Sequence, residues 1–162
     1  MKPLTNKTLI MTINNTINIF EGLKSQTQKK SELKIYKEFT EILTSLENRE
    51  MNEIEIQSIE TFLSQLELTI LPKYKRKYFR RKLRKFKEYL IEEFSLITKG
   101  HYTTMGIGLG MTFGVAIGAS VFGEASGVTT GMMFGMFFGF IIGRYMDLEA
   151  EKENRVLNTR IK

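Results

Sequence analysis

Side chains that could carry catalytic or metal chemistry are scarce in this chain. It contains no cysteine and a single histidine, His101, and its one aspartate is Asp147. Disulfides and thiolate metal sites are therefore excluded, and no second histidine could share a metal ion with the first. We interpret His101, at the edge of an apolar run, as an interfacial side chain, with a pH-sensitive gate as the alternative. The sequence thus predicts no enzyme, no cofactor and no metal site.

Binding of phosphate groups is the chemistry that the residue types supply best. Ten of the fifteen residues after Pro72 are basic, and they are the source of the formal net charge of +6. Because Lys and Arg near an anionic leaflet contribute about 1 kcal/mol each, lipid headgroups are the predicted partner. The predicted binding residues are Lys73, Lys75, Arg76, Lys77, Arg80, Arg81, Lys82, Arg84, Lys85 and Lys87.

Two other partners for these cations stay open. Basic residues interleaved with aromatic ones can neutralise the phosphates of a nucleic acid, although nothing in the pattern specifies base recognition. The preceding segment, from Glu47 to Glu67, is acidic and could neutralise part of the basic stretch within the folded protein.

The element expected to position the cations is an amphipathic helix over residues 72–100. Pro72 suits the first position of a helix. Apolar residues recur at spacings of three and four on one face, at Phe79, Leu83, Phe86, Leu90, Phe94 and Ile97. A basic amphipathic helix is therefore predicted to run towards a membrane.

Two long apolar runs follow, from Thr103 to Phe122 and from Val128 to Tyr145. At about 1.5 Å per residue, each nearly matches a hydrocarbon core of about 30 Å. Each is predicted to be a helix that spans the membrane once, with residues 123–127 as a tight polar turn. The turn is acidic, while basic residues flank the runs, so the positive-inside rule places both termini in the cytoplasm.

Three competing interpretations of these runs are less favoured. Helices buried in soluble domains are usually shorter. A signal peptide is disfavoured because the first twenty residues hold too many Asn, Thr and Lys residues. The first run also alternates small and large residues as a strand does, but an open pair of strands in lipid would leave backbone groups unsatisfied.

Glycine at every fourth position is the main pattern within the two runs. It costs a helix roughly 1 kcal/mol relative to alanine in water, but in lipid it allows close approach of two helices. The residues predicted to pack the helices are Gly106, Gly110, Gly114 and Gly118, followed by Gly127, Gly131, Gly135, Gly139 and Gly143.

The first span carries a second row of small residues, about 160° around the helix from the first glycine row. One small face can pack within the hairpin, which leaves the other for a neighbouring subunit, so a homo-oligomer with the first helix inside is predicted. A compact monomeric hairpin is the alternative. The proposed oligomer or lumen face consists of Thr104, Gly108, Thr112, Ala116 and Ser120.

The other predicted segments are two cytoplasmic regions, one before and one after the membrane hairpin. Residues 1–71 form a helical region, residues 101–146 the transmembrane hairpin, and residues 147–162 a charged tail that continues the second span. Asn52 and Glu55 fit a helix cap. Helical stripes are expected at Leu9, Ile13, Ile17 and Phe20; at Leu33, Tyr36, Phe39, Ile42, Leu43 and Leu46; and at Ile56, Ile59, Leu63, Leu66 and Ile70.

The two glycine series resemble the glycine-zipper motif of bacterial membrane proteins, a class that includes channels and pore-forming toxins. The segment from Tyr78 to Tyr102 is similar to small bacterial membrane proteins with one glycine-rich hairpin. The apolar spacings predict an all-α fold, in which a cytoplasmic helical bundle is followed by a glycine-zipper transmembrane hairpin, and the resemblance, which covers about 40 residues, implies the bacterial inner membrane. It implies how the helices pack and carries no activity.

We therefore expect a non-enzymatic, oligomeric integral membrane protein with a cytoplasmic helical sensor. In one version the subunits form a pore or perturb the membrane. In the other the hairpin anchors a cytoplasmic adaptor that holds a protein partner at the inner membrane, and the absence of charge within the spans favours this version slightly over a selective channel. Nucleic-acid binding by the basic helix is a minor alternative.

Overall fold

A computed structural model describes residues 11–70, 72–122, 124–157 and 159 of the chain. The prediction of an all-α fold is confirmed: the described residues form six helices and one pair of two-residue strands. The helices are α1 (Ile13–Ser25), α2 (Lys30–Glu47), α3 (Glu53–Gln65), α4 (Lys75–Phe94), α5 (His101–Phe122) and α6 (Glu124–Lys152), and the strands are β1 (Ile97–Thr98) and β2 (Val156–Leu157).

The described residues divide into two compact units. The first contains α1 to α4, and the chain leaves it after Ser95. The second, Leu96–Val156, contains α5 and α6, and the last described residues belong to the first unit again.

Local sequence signals account for the helices of the first unit. The predicted cap is confirmed, because the Asn52 side chain accepts a hydrogen bond from the amide of Glu55 and the Glu55 carboxylate accepts one from the amide of Asn52. In α2 the predicted stripe is buried from Tyr36 to Leu46. The first predicted stripe lies on α1, which runs past Gly22, while Leu9 lies outside the described residues.

The core of the first unit is a cluster of aromatic rings. Phe20 of α1 stacks on Phe39 of α2, with ring centroids 4.3 Å apart. Phe79 of α4 makes T-shaped contacts with Phe20 and Tyr36, with ring centroids 5.8 and 5.3 Å apart. Aromatic pairs of this geometry add to the large apolar area that each ring buries, so the cluster fastens α4 to α1 and α2.

Several predicted boundaries around α4 are wrong. Pro72 is not the first helical residue, because α4 begins at Lys75. At the other end Ser95 takes a left-handed conformation with φ of 54°, which stops the helix, and Ile97 lies in β1 instead. Ile70 was expected on a buried stripe, but it lies beyond the end of α3 and is exposed.

The hydroxyl of Tyr36 gives a test of this core. It is buried and has no hydrogen-bond partner among the described residues, so Tyr36→Phe should raise the free energy of unfolding by about 1 kcal/mol. We would measure this from hydrogen exchange of the α2 amides in the full chain. Tyr89→Phe is the matched control, because the Tyr89 hydroxyl lies 2.7 Å from that of Ser58. If Tyr89→Phe raised the free energy of unfolding as much as Tyr36→Phe, this explanation would be wrong.

The same substitution has a signature in pH. Burial, and then the charge of Glu32, raise the pKa of Tyr36 above its ordinary value of 10.0. As the pH rises, the unfolded chain therefore loses this proton before the folded chain does. The free energy of unfolding thus decreases as the pH rises above 10.0. Tyr36→Phe should remove this part of the alkaline loss of stability, whereas Tyr89→Phe should not.

Candidate membrane hairpin and basic helix

The second unit is an antiparallel pair of long apolar helices. α5 has 22 residues and α6 has 29, so they reach about 33 and 43 Å at 1.5 Å per residue. Two segments, His101–Val121 and Ser126–Lys152, are long and apolar enough to cross a membrane. In the most apolar part of each segment, only 6% of the first and 17% of the second is buried in the protein, whereas the core helix of a soluble protein is mostly buried.

The predicted polar turn between the spans is wrong for residues 124–127. These residues belong to the first turn of α6, and Gly123 lies outside the described residues. Gly127 already lies on α6, where its backbone meets that of Gly118 on α5.

The nine glycines of the two period-four series lie where α5 and α6 meet. We call Gly106, Gly110, Gly114 and Gly118 the glycine face of α5, and Gly127, Gly131, Gly135, Gly139 and Gly143 the glycine face of α6. Four reciprocal pairs form between them, Gly106 with Gly139, Gly110 with Gly135, Gly114 with Gly131 and Gly118 with Gly127. Gly143 meets the backbone of Tyr102 and Thr103 in the same way.

At each of these positions only a hydrogen atom fits. A Cβ placed on any of the nine would lie less than 3.0 Å from a backbone carbonyl oxygen of the opposite helix. The second Hα of each glycine points in that direction, so each pair directs two C–H groups at carbonyl oxygens, a weak hydrogen bond known from close helix contacts. The contact between α5 and α6 is therefore one of backbone with backbone.

This contact leaves the large side chains of both helices on the outside. The side chains that stay exposed include Met105, Leu109, Phe113, Ile117 and Val121 of α5 and Met133, Phe134, Phe137, Phe138, Phe140, Ile141 and Ile142 of α6. Exposed apolar surface of this extent is unusual in a soluble protein and suits contact with lipid or with another chain.

The second row of small residues on α5 points away from α6. Thr104, Gly108, Thr112, Ala116 and Ser120 are all exposed, and a Cβ added to Gly108 would meet none of the described residues within 4 Å. The hydroxyls of Thr104, Thr112 and Ser120 donate to the carbonyl oxygens four residues earlier, at 2.9 to 3.0 Å. Their donors are thus satisfied within the helix, as a membrane requires.

A buried carboxylate closes the end of the hairpin where α5 begins. Asp147 of α6, which is only 2% exposed, accepts hydrogen bonds from the amides of Tyr102 and Thr103 at 3.0 and 2.9 Å. The Thr103 hydroxyl donates to the same carboxylate at 2.6 Å. The amides in the first turn of a helix have no partner within the helix, and a negative charge there is favourable. Asp147 therefore caps α5 from the neighbouring helix.

The sequence pattern predicts only a charged tail from Asp147 onward, and this capping role is not part of that prediction. A signal was present, since Asp147 continues the period-four series after Gly143. A residue in that register must lie opposite the start of α5 if the glycines pair. A backbone hydrogen bond also joins the two chain segments at this end of the hairpin: the amide of Ile97, before α5, donates to the carbonyl of Arg155, after α6, at 2.9 Å.

The basic residues lie on the first unit. Arg76, Lys77, Arg80, Arg81, Arg84 and Lys85 are exposed on the side of α4 away from its buried apolar residues; we call them the basic face. Among the described residues, ion pairs involve Lys82 with Glu67, Arg84 with Glu88 and Lys87 with Glu38. The other seven predicted lipid-binding cations have no ion pair in the part of the chain that the structure describes.

Internal neutralisation by the acidic segment is therefore slight. Of its carboxylates Glu67 pairs with α4, whereas Glu60 accepts a hydrogen bond from the amide of Ile13, and Glu55 caps α3. No group of three or more metal-binding side chains occurs among the described residues.

Comparisons with known proteins do not extend this picture: no family model, curated protein or solved structure matches the chain. The resemblance to glycine-zipper proteins therefore stays a prediction.

Proposed function

We propose that this protein is a non-enzymatic integral membrane protein, which spans the bilayer as the α5–α6 hairpin and self-associates through the second small face of α5. One observation carries the proposal. The hairpin uses all nine glycines for its internal contact and leaves a second small face, with its hydroxyl donors satisfied, open to another copy. Because lipid offers no hydrophobic drive for association, small faces of this kind are a main source of helix pairing in membranes.

The shape of α5 supports a second copy as the occupant of this face. Beside the small face runs a ridge of exposed large side chains at the same period, Met105, Leu109, Phe113, Ile117 and Val121. Ridges and grooves with a period of four residues interdigitate when helices pack. The ridge of large side chains on one α5 would thus fit against the small face of a second α5, and the reverse.

The proposal includes the surroundings of the hairpin. With two spans both termini lie on one side, and the basic residues around them favour the cytoplasmic side of a bacterial inner membrane. The basic face of α4 would then bind anionic headgroups. The first unit would act as a cytoplasmic sensor or adaptor that binds a protein partner.

Self-association can be tested with one pair of variants. Thr112→Leu fills the small face with a branched side chain and should lower the mass of the assembly in detergent or nanodiscs, measured by native mass spectrometry. Phe138→Leu, at an exposed position of α6, is the control and should leave the mass unchanged. A monomeric parent protein, or an unchanged mass for Thr112→Leu, would refute self-association by this face.

A pore is the second candidate, and the exposed hydroxyl oxygens of Thr104, Thr112 and Ser120 favour it. They would be the polar groups available to a lumen on this face. The test is ion flux across liposomes that hold the purified protein. Flux that Thr112→Leu abolishes would support a pore. A monomer or dimer would end this candidate, because four spans are too few to enclose an aqueous path.

A further inference from the structure

The loop between α3 and α4 presents two exposed apolar side chains. Ile70 is 50% exposed and Tyr74 is 72% exposed; Tyr74 directly precedes Lys75, the first residue of α4, and Ile70 lies four residues before Tyr74. We call these two residues the loop tip. Large apolar side chains cost free energy when they face water, and two of them are exposed in this one loop.

The base of the loop is held firmly. Leu66 and Leu68 are buried, and the carbonyl oxygen of Glu67 accepts a hydrogen bond from the Tyr78 hydroxyl at 2.8 Å. Lys82 of α4 lies 3.5 Å from the carboxylate of Glu67. These contacts attach the loop to α4 on the N-terminal side of the loop tip.

The charges next to the loop tip are arranged against the stability of α4 itself. Its first turn contains no acidic residue, and the side chain of its N-cap, Tyr74, caps none of the described backbone amides of the helix. Lys75, Arg76 and Lys77 stand where the helix dipole is already positive, which is unfavourable for cations. Arg76 also lies four residues from Arg80, and like charges at this spacing repel. An anionic partner would offset both the repulsion between these cations and their unfavourable interaction with the helix dipole.

We propose that the loop tip is a second membrane-docking element. In this proposal Ile70 and Tyr74 enter the headgroup region of an anionic leaflet, while the cations of the first turns of α4 bind lipid phosphates. Tyrosine favours this depth, since its ring lies among apolar groups and its hydroxyl stays in water. The inference rests on the proposed membrane-spanning hairpin, and it concerns a surface of the first unit that the hairpin does not require.

The connection between the units is short enough for this docking. Six residues, Ser95–Gly100, separate α4 from α5, and a chain of that length reaches at most about 20 Å. With α5 beginning at the membrane interface, the end of α4 cannot move far from the same leaflet. The loop tip lies at the other end of α4, which has 20 residues and is about 30 Å long, so it would meet the same leaflet at a raised effective concentration when α4 lies along the membrane.

The chain contains no tryptophan, so a single tryptophan can report on each position. We would prepare the full chain with Tyr74→Trp, and separately with Ile70→Trp, in nanodiscs of phosphatidylcholine with or without phosphatidylglycerol. Lipids brominated near the glycerol end of the acyl chains quench tryptophan at the interface. Both reporters should show a blue-shifted emission and at least about twofold quenching in anionic nanodiscs, and clearly less without the anionic lipid.

Two further reporters make the result decisive. Ile54→Trp lies at another exposed apolar position of the first unit, at the start of α3, and should not be quenched. Phe137→Trp lies in the middle of α6 and should be quenched by lipids brominated deep in the chain in both kinds of nanodisc.

The outcomes separate the two proposals. If Phe137→Trp is quenched but neither loop-tip reporter is, the docking element is overturned and the membrane hairpin stands. The docking element is also overturned if Ile54→Trp is quenched as strongly as the loop tip, or if quenching does not depend on phosphatidylglycerol. If Phe137→Trp is not quenched, the membrane hairpin itself fails, and the docking inference fails with it.

Discussion

Gly114→Ala should separate α5 from α6, although alanine is the better helix former. The new Cβ would lie less than 3.0 Å from the carbonyl oxygen of Gly131, and no rotamer change can relieve a clash between a Cβ and a backbone atom. Overfilling a close contact costs typically about 1–3 kcal/mol, which exceeds the gain of about 1 kcal/mol in helix propensity. The helices should therefore move towards the axial separation of about 8–10 Å that side-chain packing gives.

The matched control is Gly108→Ala, on the same helix. A Cβ at Gly108 would have no neighbour within 4 Å in the part of the chain that the structure describes, and the small face already contains Ala116, so this change should keep the gain in helix propensity without a clash. The two substitutions are identical in chemistry, and they should act with opposite sign on the stability of the hairpin.

The distance between the helices can be measured directly because the chain has no native cysteine. Spin labels on Leu109→Cys and Phe137→Cys would report it, since both positions are exposed. Dilution with unlabelled protein would suppress distances between subunits. An unchanged distance in Gly114→Ala, or an equal shift in Gly108→Ala, would show that the glycines are not what brings the helices together.

Asp147→Ala should release the start of α5 from α6. The substitution removes an acceptor of three hydrogen bonds and leaves the amides of Tyr102 and Thr103 without their partner. Hydrogen bonds to a charged group contribute about 1.5–3 kcal/mol each, and their loss is not additive. We expect a loss of about 2–3 kcal/mol in local stability, which corresponds to roughly 30- to 150-fold faster hydrogen exchange of these two amides.

Two variants make this result specific. Asp147→Asn keeps one carbonyl acceptor, so its exchange rates should lie between those of the parent and Asp147→Ala. Glu149→Ala removes an exposed carboxylate two residues away and should leave both amides protected. Equal acceleration by Asp147→Ala and Glu149→Ala would mean that general charge near the end of α6, and not the cap, protects the start of α5.

The two features have a joint consequence for the hairpin. The glycine faces set how close the helices lie, whereas Asp147 marks where the contact stops, because it takes the place that another glycine would occupy in the series. A slip of α6 by one turn along α5 would keep most glycine contacts. It would remove the carboxylate from the amides it caps, so we infer that Asp147 selects the register.

Features that depend on neighbouring residues could be predicted from the sequence alone. Apolar spacing identified the stripe of α2 and much of that of α4, and Asn52 with Glu55 identified the start of α3. The period of four singled out the nine glycines because a helix places every fourth residue on nearly the same face. The length and apolar character of the two runs likewise required no knowledge of what they touch.

Other features were decided by contacts between residues far apart in the chain. Repeating glycines fit several registers equally well, and the pairing of Gly106 with Gly139 emerged only when both helices were in place. The cap from Asp147 joins residues 44 and 45 positions apart. The exposure of Ile70 follows from the end of α3 and the fastening of Glu67 to Tyr78. The sequence by itself determined which faces are small, apolar or basic, because these depend on helical period. The tertiary structure alone decided which faces meet and which stay open, because that depends on register and steric fit.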